Sequence, residues 1–229
     1  MSARTTVIAA TVIGLWVWVD ALGAPVPNRV PKSWELEFDF VDPQTMTVQL
    51  PGQPRPQTFW YMLYTVTNKS GREVQFLPRF DLMTDRMQVI RGDPGVHPMV
   101  FEAIKRRHRP THPLLVEPVK AMGRLLQGPD NAKGSVAIWP QLDIRANGFT
   151  IFVAGLSGES VLLRNPNYKP DRPQHRIEKL GDGTEIRIPD NPKFFTLRKT
   201  LAVRYILPGD EKTRARARVG RLSSEWIMR

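Results

Sequence analysis

Residues 58–67 read Thr58-Phe59-Trp60-Tyr61-Met62-Leu63-Tyr64-Thr65-Val66-Thr67. Aromatic and β-branched side chains fill the stretch, and such side chains suit the pleated surface of a strand. No charge interrupts it, so it predicts a central strand covered on both faces rather than one with a wet side. Asn68-Lys69-Ser70-Gly71 supplies turn chemistry directly afterwards, and Glu73–Leu77 is read as the returning strand. Residues 58–77 are therefore expected to form a β-hairpin.

On the N-terminal side, Trp34, Leu36, Phe38 and Phe40 alternate with Glu35, Glu37 and Asp39. That period of two is the mark of a half-buried strand. Met46, Val48 and Leu50 repeat the pattern after a turn at Asp42-Pro43. On the C-terminal side, strands are expected at 80–84, 87–90, 135–139, 149–154, 161–163, 177–180, 184–188 and around 200–206. Gly181-Asp182-Gly183 is a hairpin turn between two of them. Residues 214–219 alternate once more, and Glu225–Met228 is a candidate closing strand. Phe101, Ile104 and His108 fit one face of a short helix, with the basic residues Lys105, Arg106 and Arg107 largely outside it. Residues 119–126 fit a helix or a strand equally well. About a dozen short strands with few helices imply an all-β protein, an antiparallel β-sandwich with one or two short helices in a basic, proline-rich insertion near 91–118. A single domain over 24–229 is expected, with a division near 165–173 as the alternative.

The chain has 229 residues, no cysteine and a net charge of +11. That length can bury a sizeable core. The absence of cysteine excludes disulfides, thiolate metal sites and cysteine catalysis. The charge is uneven: residues 24–163 carry a net +3 and residues 164–229 a net +8. Such an excess invites nucleic acid or another anionic surface as a partner.

Residues 1–23 read as an address. Arg4 precedes an uncharged apolar run, Val7–Val19, and Ala21 and Gly23 hold the small-residue places for a cut before Ala24. This is the arrangement of a secretory signal peptide. As a helix the run would span about 20 Å, short of the hydrocarbon core of about 30 Å, so cleavage is preferred over a retained membrane anchor. The mature protein is expected outside the cytoplasm, periplasmic or extracellular, with no membrane span of its own.

The stretches TFWYMLYTVTNKSGREVQFLPRFDLMTD (58–85) and DNAKGSVAIWPQLDIRANGFTIFVAGLSGE (130–159) resemble immunoglobulin-type domains of the telokin-like kind exported by bacteria. In those domains an aromatic strand ends in V-x-N-x-S/T-G and turns into a second strand. A later V-A-x-F/W strand follows a glycine turn. The likeness covers about residues 58–160, and taken whole the chain looks like secreted bacterial proteins of unknown function. It implies an immunoglobulin-like fold and export. It brings no catalytic residues, and this chain departs from it in the 91–118 insertion and in everything past residue 160.

No motif compels an enzymatic reading. Glu35, Glu37 and Asp39 share a strand face about 7 Å apart by the strand rise, a spacing open to glycoside hydrolysis or Ca²⁺, but a solvated or protected strand face explains them without a pocket. His108 and His112 are four apart, yet Pro110 between them breaks the helix that a metal pair would need. Ser157 lacks the G-x-S-x-G elbow. Trp34 and Trp60 are placed in the core by their strands, and Trp139, before Pro140, is the tryptophan expected to be exposed and able to stack on a sugar.

The basic clusters remain. Arg214, Arg216 and Arg218 alternate with small apolar residues on one expected strand, and Arg106 and Arg107 lie in the insertion. They are the candidate contacts for an anionic partner. The stacking aromatics of single-strand recognition are not interleaved with them, which disfavours nucleic acid. The expected function is that of an exported, non-enzymatic module meeting an envelope protein or anionic polymer, with no cofactor. An exported carbohydrate-binding protein or a hydrolase using the acidic strand face is the alternative. A sandwich presenting loop 91–118 to a protease is a weaker third.

Overall fold

Strand alternation and turn chemistry set the order of elements: β1 (Glu37–Phe40), β2 (Gln44–Val48), β3 (Gln57–Thr67), β4 (Val74–Phe76), β5 (Arg79–Thr84), β6 (Val89–Arg91), α1 (Pro98–His108), α2 (Pro118–Ala121), β7 (Gly123–Leu125), β8 (Lys133–Pro140), β9 (Gly148–Ala154), β10 (Ser160–Arg164), β11 (His175–Lys179), β12 (Glu185–Pro189), β13 (Phe194–Ile206) and β14 (Gly220–Met228). The structure is a computed structural model and describes residues 24–92, 95–179, 181, 184–210 and 218–229. The protein is mainly β, with antiparallel sheets and two short helices. Among the described residues no helix is long and apolar enough to cross a membrane. The expected signal peptide, the turn residues Asp182 and Gly183, and Arg214 and Arg216 lie outside the described residues.

β3 organises the first sheet. β8 runs antiparallel along one edge of it, from Phe59↔Pro140 to Val66↔Lys133. β1 and β2 share the other edge, one on each half of β3. β13 organises the second sheet in the same way. β14 lies on one edge, and β9 and β10 follow one another along the other. β5 and then β6 extend the sheet beyond β9.

The period of two then distributes the side chains of β3 to two cores. Trp60, Met62, Tyr64 and Val66 join Phe80 and Leu82 of β5, Phe149, Ile151 and Val153 of β9 and Leu201, Val203 and Tyr205 of β13 in one core cluster shared by the two sheets. Phe59, Tyr61 and Leu63 point the other way, onto Val100, Phe101 and Ile104 of α1. α1 is thus the cover on the outer face of the first sheet, and the uncharged run of β3 is explained by burial on both sides. His97 caps this helix, its Nδ1 accepting from the Met99 amide at 3.2 Å, and Pro98 opens it.

Two expectations are corrected and one open reading is resolved. β4 does not return along β3; it pairs with β7, Val74 opposite Leu125. The fully buried Asn68 is responsible: its amide donates to the Arg72 carbonyl at 2.8 Å and the Leu125 carbonyl at 2.9 Å, tying the turn to β7 rather than closing a hairpin. Residues 119–126, open between helix and strand, divide into α2 and β7. Trp139 is fully buried, cross-strand from Trp60 and edge-on to Phe80 at 6.5 Å, because Pro140 marks the strand end but not its depth.

Candidate functional site

A cleft of about 580 Å³ opens where the β1–β2 turn, the end of α1 and the segment before β14 meet. Asp42, Gln44, Thr45, Trp60, Arg107 and Arg218 are among its lining residues. Arg107 reaches it because α1 docks through Val100, Phe101 and Ile104 and carries its basic residues in its last turn, where cations meet the carbonyl end of the helix favourably. Its guanidinium donates to the Thr45 carbonyl at 3.2 Å. Arg218 enters from the other end of the chain. Among the described residues neither arginine has a carboxylate within ion-pairing distance. Asp42, the acid among the described lining residues, is already engaged: Arg221 donates to it through Nε at 2.7 Å, and the Tyr205 hydroxyl donates to it at 3.1 Å. Burial, then the Asp42 charge, push the Tyr205 phenol far up, so it stays a donor. Arg221 also stacks on Phe40, 4.7 Å from the ring centre.

Two further features give the cleft its character. The indole Nε1 of Trp60 is buried and has no hydrogen-bond partner, an unusual state for a buried donor. On the other face of β3, outside the lining, the Tyr61 hydroxyl lies 2.9 Å from His108 Nε2 and donates at 3.2 Å to Gln44, which does line the cleft. Burial first, then the charge of Arg107 and the neighbouring His112, lower the His108 pKa, so the imidazole is neutral at pH 7. The cleft therefore offers a guest the guanidinium groups of Arg107 and Arg218, while the Asp42 carboxylate in its lining is engaged by Arg221 and Tyr205.

The remaining sequence candidates separate. Arg106 is exposed on α1, next to Arg107 but not in the lining. Glu37 pairs with Lys69 at 2.9 Å, and Asp39 is exposed. Glu35 turns to Lys199, its Oε2 2.7 Å from Nζ. The three carboxylates thus make separate contacts, and among the described residues the clefts of about 220–580 Å³ are lined neither by them nor by Trp139. Among the described residues no group of three or more His, Asp or Glu side chains is placed to hold a metal.

Sequence reasoning missed Lys199 and the group Asp42, Tyr205 and Arg221. Lys199 is 2% exposed. Its Nζ meets Glu35, donates to the Asn28 carbonyl at 3.1 Å, lies 3.7 Å from Glu159 Oε2 and sits 4.9 Å from the Trp226 ring centre. Glu159 in turn accepts from the Asn28 amide at 3.0 Å and from its Nδ2 at 2.6 Å. One signal could have found it: the inward alternation of Leu201, Val203 and Tyr205 puts residue 199 on the same face. Asp42, Tyr205 and Arg221 lie far apart in sequence and carry no local signal.

No family model, no curated protein and no solved structure matches the chain.

Proposed function

We propose that the protein is an exported, non-enzymatic module with an immunoglobulin-like β-sandwich fold, acting in the cell envelope by binding an anionic group of a polymer. The observation that supports this reading is the convergence of Arg107 and Arg218. They come from distant parts of the chain, they line one cleft, and among the described residues no carboxylate neutralises them. Guanidinium forks suit carboxylate, sulfate and phosphate groups. Export rests on the sequence of residues 1–23, and the fold name on the resemblance of 58–160.

Two measurements test it. Cell fractionation with N-terminal sequencing should recover the protein outside the cytoplasm, starting at Ala24; a cytoplasmic protein with an intact N-terminus contradicts export. Retention on immobilised dextran sulfate should exceed retention on neutral dextran and fall in R107A and R218A. Equal retention of parent and both variants removes the cleft from the function.

A further inference from the structure

Beyond the cleft, the second sheet ends in a segment that the body does not cover. β10 and the first half of β13 form a two-stranded ribbon, Ser160↔Arg198 to Arg164↔Phe194. Residues opposite each other share a face. Leu163 and Phe195 are therefore exposed together on one face, and Leu162 and Phe194 are exposed on the other. Among the described residues no strand pairs with the outer edge of β10 or with the opposite edge of β13 over Phe194–Leu197. Natural sheet edges are usually guarded by charge or cover, and contiguous exposed apolar surface marks an interaction site.

The surroundings say which partner this surface suits. A cleft of about 570 Å³ opens at the end of the ribbon, lined by Arg164, Asn165, Tyr168 and Lys193 together with two prolines. Arg164 and Lys193 make no ion pair among the described residues, and neither do Lys169, Arg172 and Arg198 nearby in the chain. Apolar side chains flanked by unneutralised cations are the composition that settles at the boundary between anionic headgroups and acyl chains. A protein partner would need complementary acids; a bilayer of anionic lipid supplies both the apolar phase and the phosphates. The chain also enters the body at this end. Asn28 is fastened by Glu159, next to Ser160, and by Lys199, next to Arg198.

We propose that the β10–β13 ribbon is a docking surface for an anionic lipid bilayer, with Leu162, Leu163, Phe194 and Phe195 entering the interface and Arg164 and Lys193 meeting lipid phosphates. This surface is separate from the Arg107–Arg218 cleft and stands without it.

The absence of native cysteine makes the test direct. The full chain is prepared as L162C, as F194C and, for control, as E102C on α1, each carrying a polarity-sensitive fluorophore. Vesicles of equal parts phosphatidylglycerol and phosphatidylcholine are added, and separately vesicles of phosphatidylcholine alone. The expected result is a blue shift at 162 and 194 with the anionic vesicles and none at 102, which separates the ribbon from any contact made by residues 1–23. Adding R164Q and K193Q to the F194C protein should weaken the response about 30-fold, since each basic residue near an anionic surface contributes several-fold. R107A and R218A should leave it unchanged. The proposal is overturned by no shift at 162 and 194, by an equal shift at 102, or by the same shift with soluble glycerol phosphate. A shift that grows with protein concentration in the absence of lipid also overturns it and assigns the ribbon to a second copy of the chain.

Discussion

Replacing Lys199 by methionine keeps the length of the side chain and removes its charge. Four groups lose their partner: Glu35, Glu159, the Asn28 carbonyl and the face of Trp226. Removing one partner of a buried ion pair costs about 3–5 kcal/mol, because the other charge is left uncompensated. The lower end applies here. Glu159 is buried but retains both Asn28 donors, and Glu35 is 24% exposed and reaches water. A loss of about 3 kcal/mol corresponds to a fall of about 6–12 °C in Tm for a chain of this size. Urea unfolding followed by tryptophan fluorescence, with calorimetry beside it, measures both. The double variant K199M with E159Q also removes the stranded charge, and it should recover part of the loss, since exchanging a whole buried pair for neutral groups is often close to neutral. The pH dependence carries a second signature. The Asn28 hydrogen bonds, then Lys199, hold the Glu159 carboxyl below its ordinary 4.5. Its contribution is therefore complete above pH 4.5 and is lost as pH falls through the lower folded value. K199M removes only the smaller, Lys199 part of that shift, so its acid limb should be shallower than the parent's without disappearing. A parent-like midpoint in K199M, or a double variant less stable than K199M, would refute the account of Lys199 as the centre of a buried charge cluster.

Trp139→Ala should cost about 3–5 kcal/mol in chemical denaturation, as large-to-small changes in a filled core do; a near-neutral result would restore the exposed, sugar-stacking role that its burial removes. R107A and R218A should each stay within about 1 kcal/mol of the parent in stability while losing retention on anionic polymer, so a comparable fall in both readouts would reassign these arginines to structure. His108 should titrate by NMR with a midpoint below 6.5, because burial and Arg107 oppose its charge. Its stabilising effect is then present above pH 6.5 and lost as pH falls through the lower folded value; an upward-shifted midpoint contradicts the neutral Tyr61–His108 pair.

What could be read from the sequence was periodic. The uncharged run of β3 announced a strand with two covered faces, and Phe101, Ile104 and His108 announced the helix that supplies one of the covers. The position of Arg107 on that helix, off its apolar face, followed. The failures share a physical origin in contacts between distant residues. The turn at Asn68 is local chemistry, but its direction is decided by the Leu125 carbonyl on β7. Trp139 sits one residue from a proline that ends its strand, yet its burial is set by β3 and by Phe80. That Arg218 would share a cleft with Arg107 depended on how β14 seats on β13, which no spacing encodes.

That seating gives a reason for the ion pairs of Arg221 and Arg229. Slipping a strand by one residue turns every side chain to the other face, and register is weakly specified where the apolar pattern is weak. β14 is such a strand: Leu222 is exposed, while Trp226, Ile227 and Met228 are all half-buried rather than alternating. Polar clamps sit at its two ends. Arg221 binds Asp42 and covers Phe40, and Arg229 lies 3.2 Å from Asp81 and 4.1 Å from the centre of the Phe152 ring. A chain with no cysteine has no covalent staple to hold its C-terminal strand, and a buried or half-buried charge is better suited to fixing an arrangement than to adding stability. The clamp at Arg221 lies three residues from Arg218. The same contact that holds the register of β14 therefore sets the reach of Arg218 into the cleft, and the architecture of the C-terminal edge and the charge of the candidate site depend on one another through Asp42.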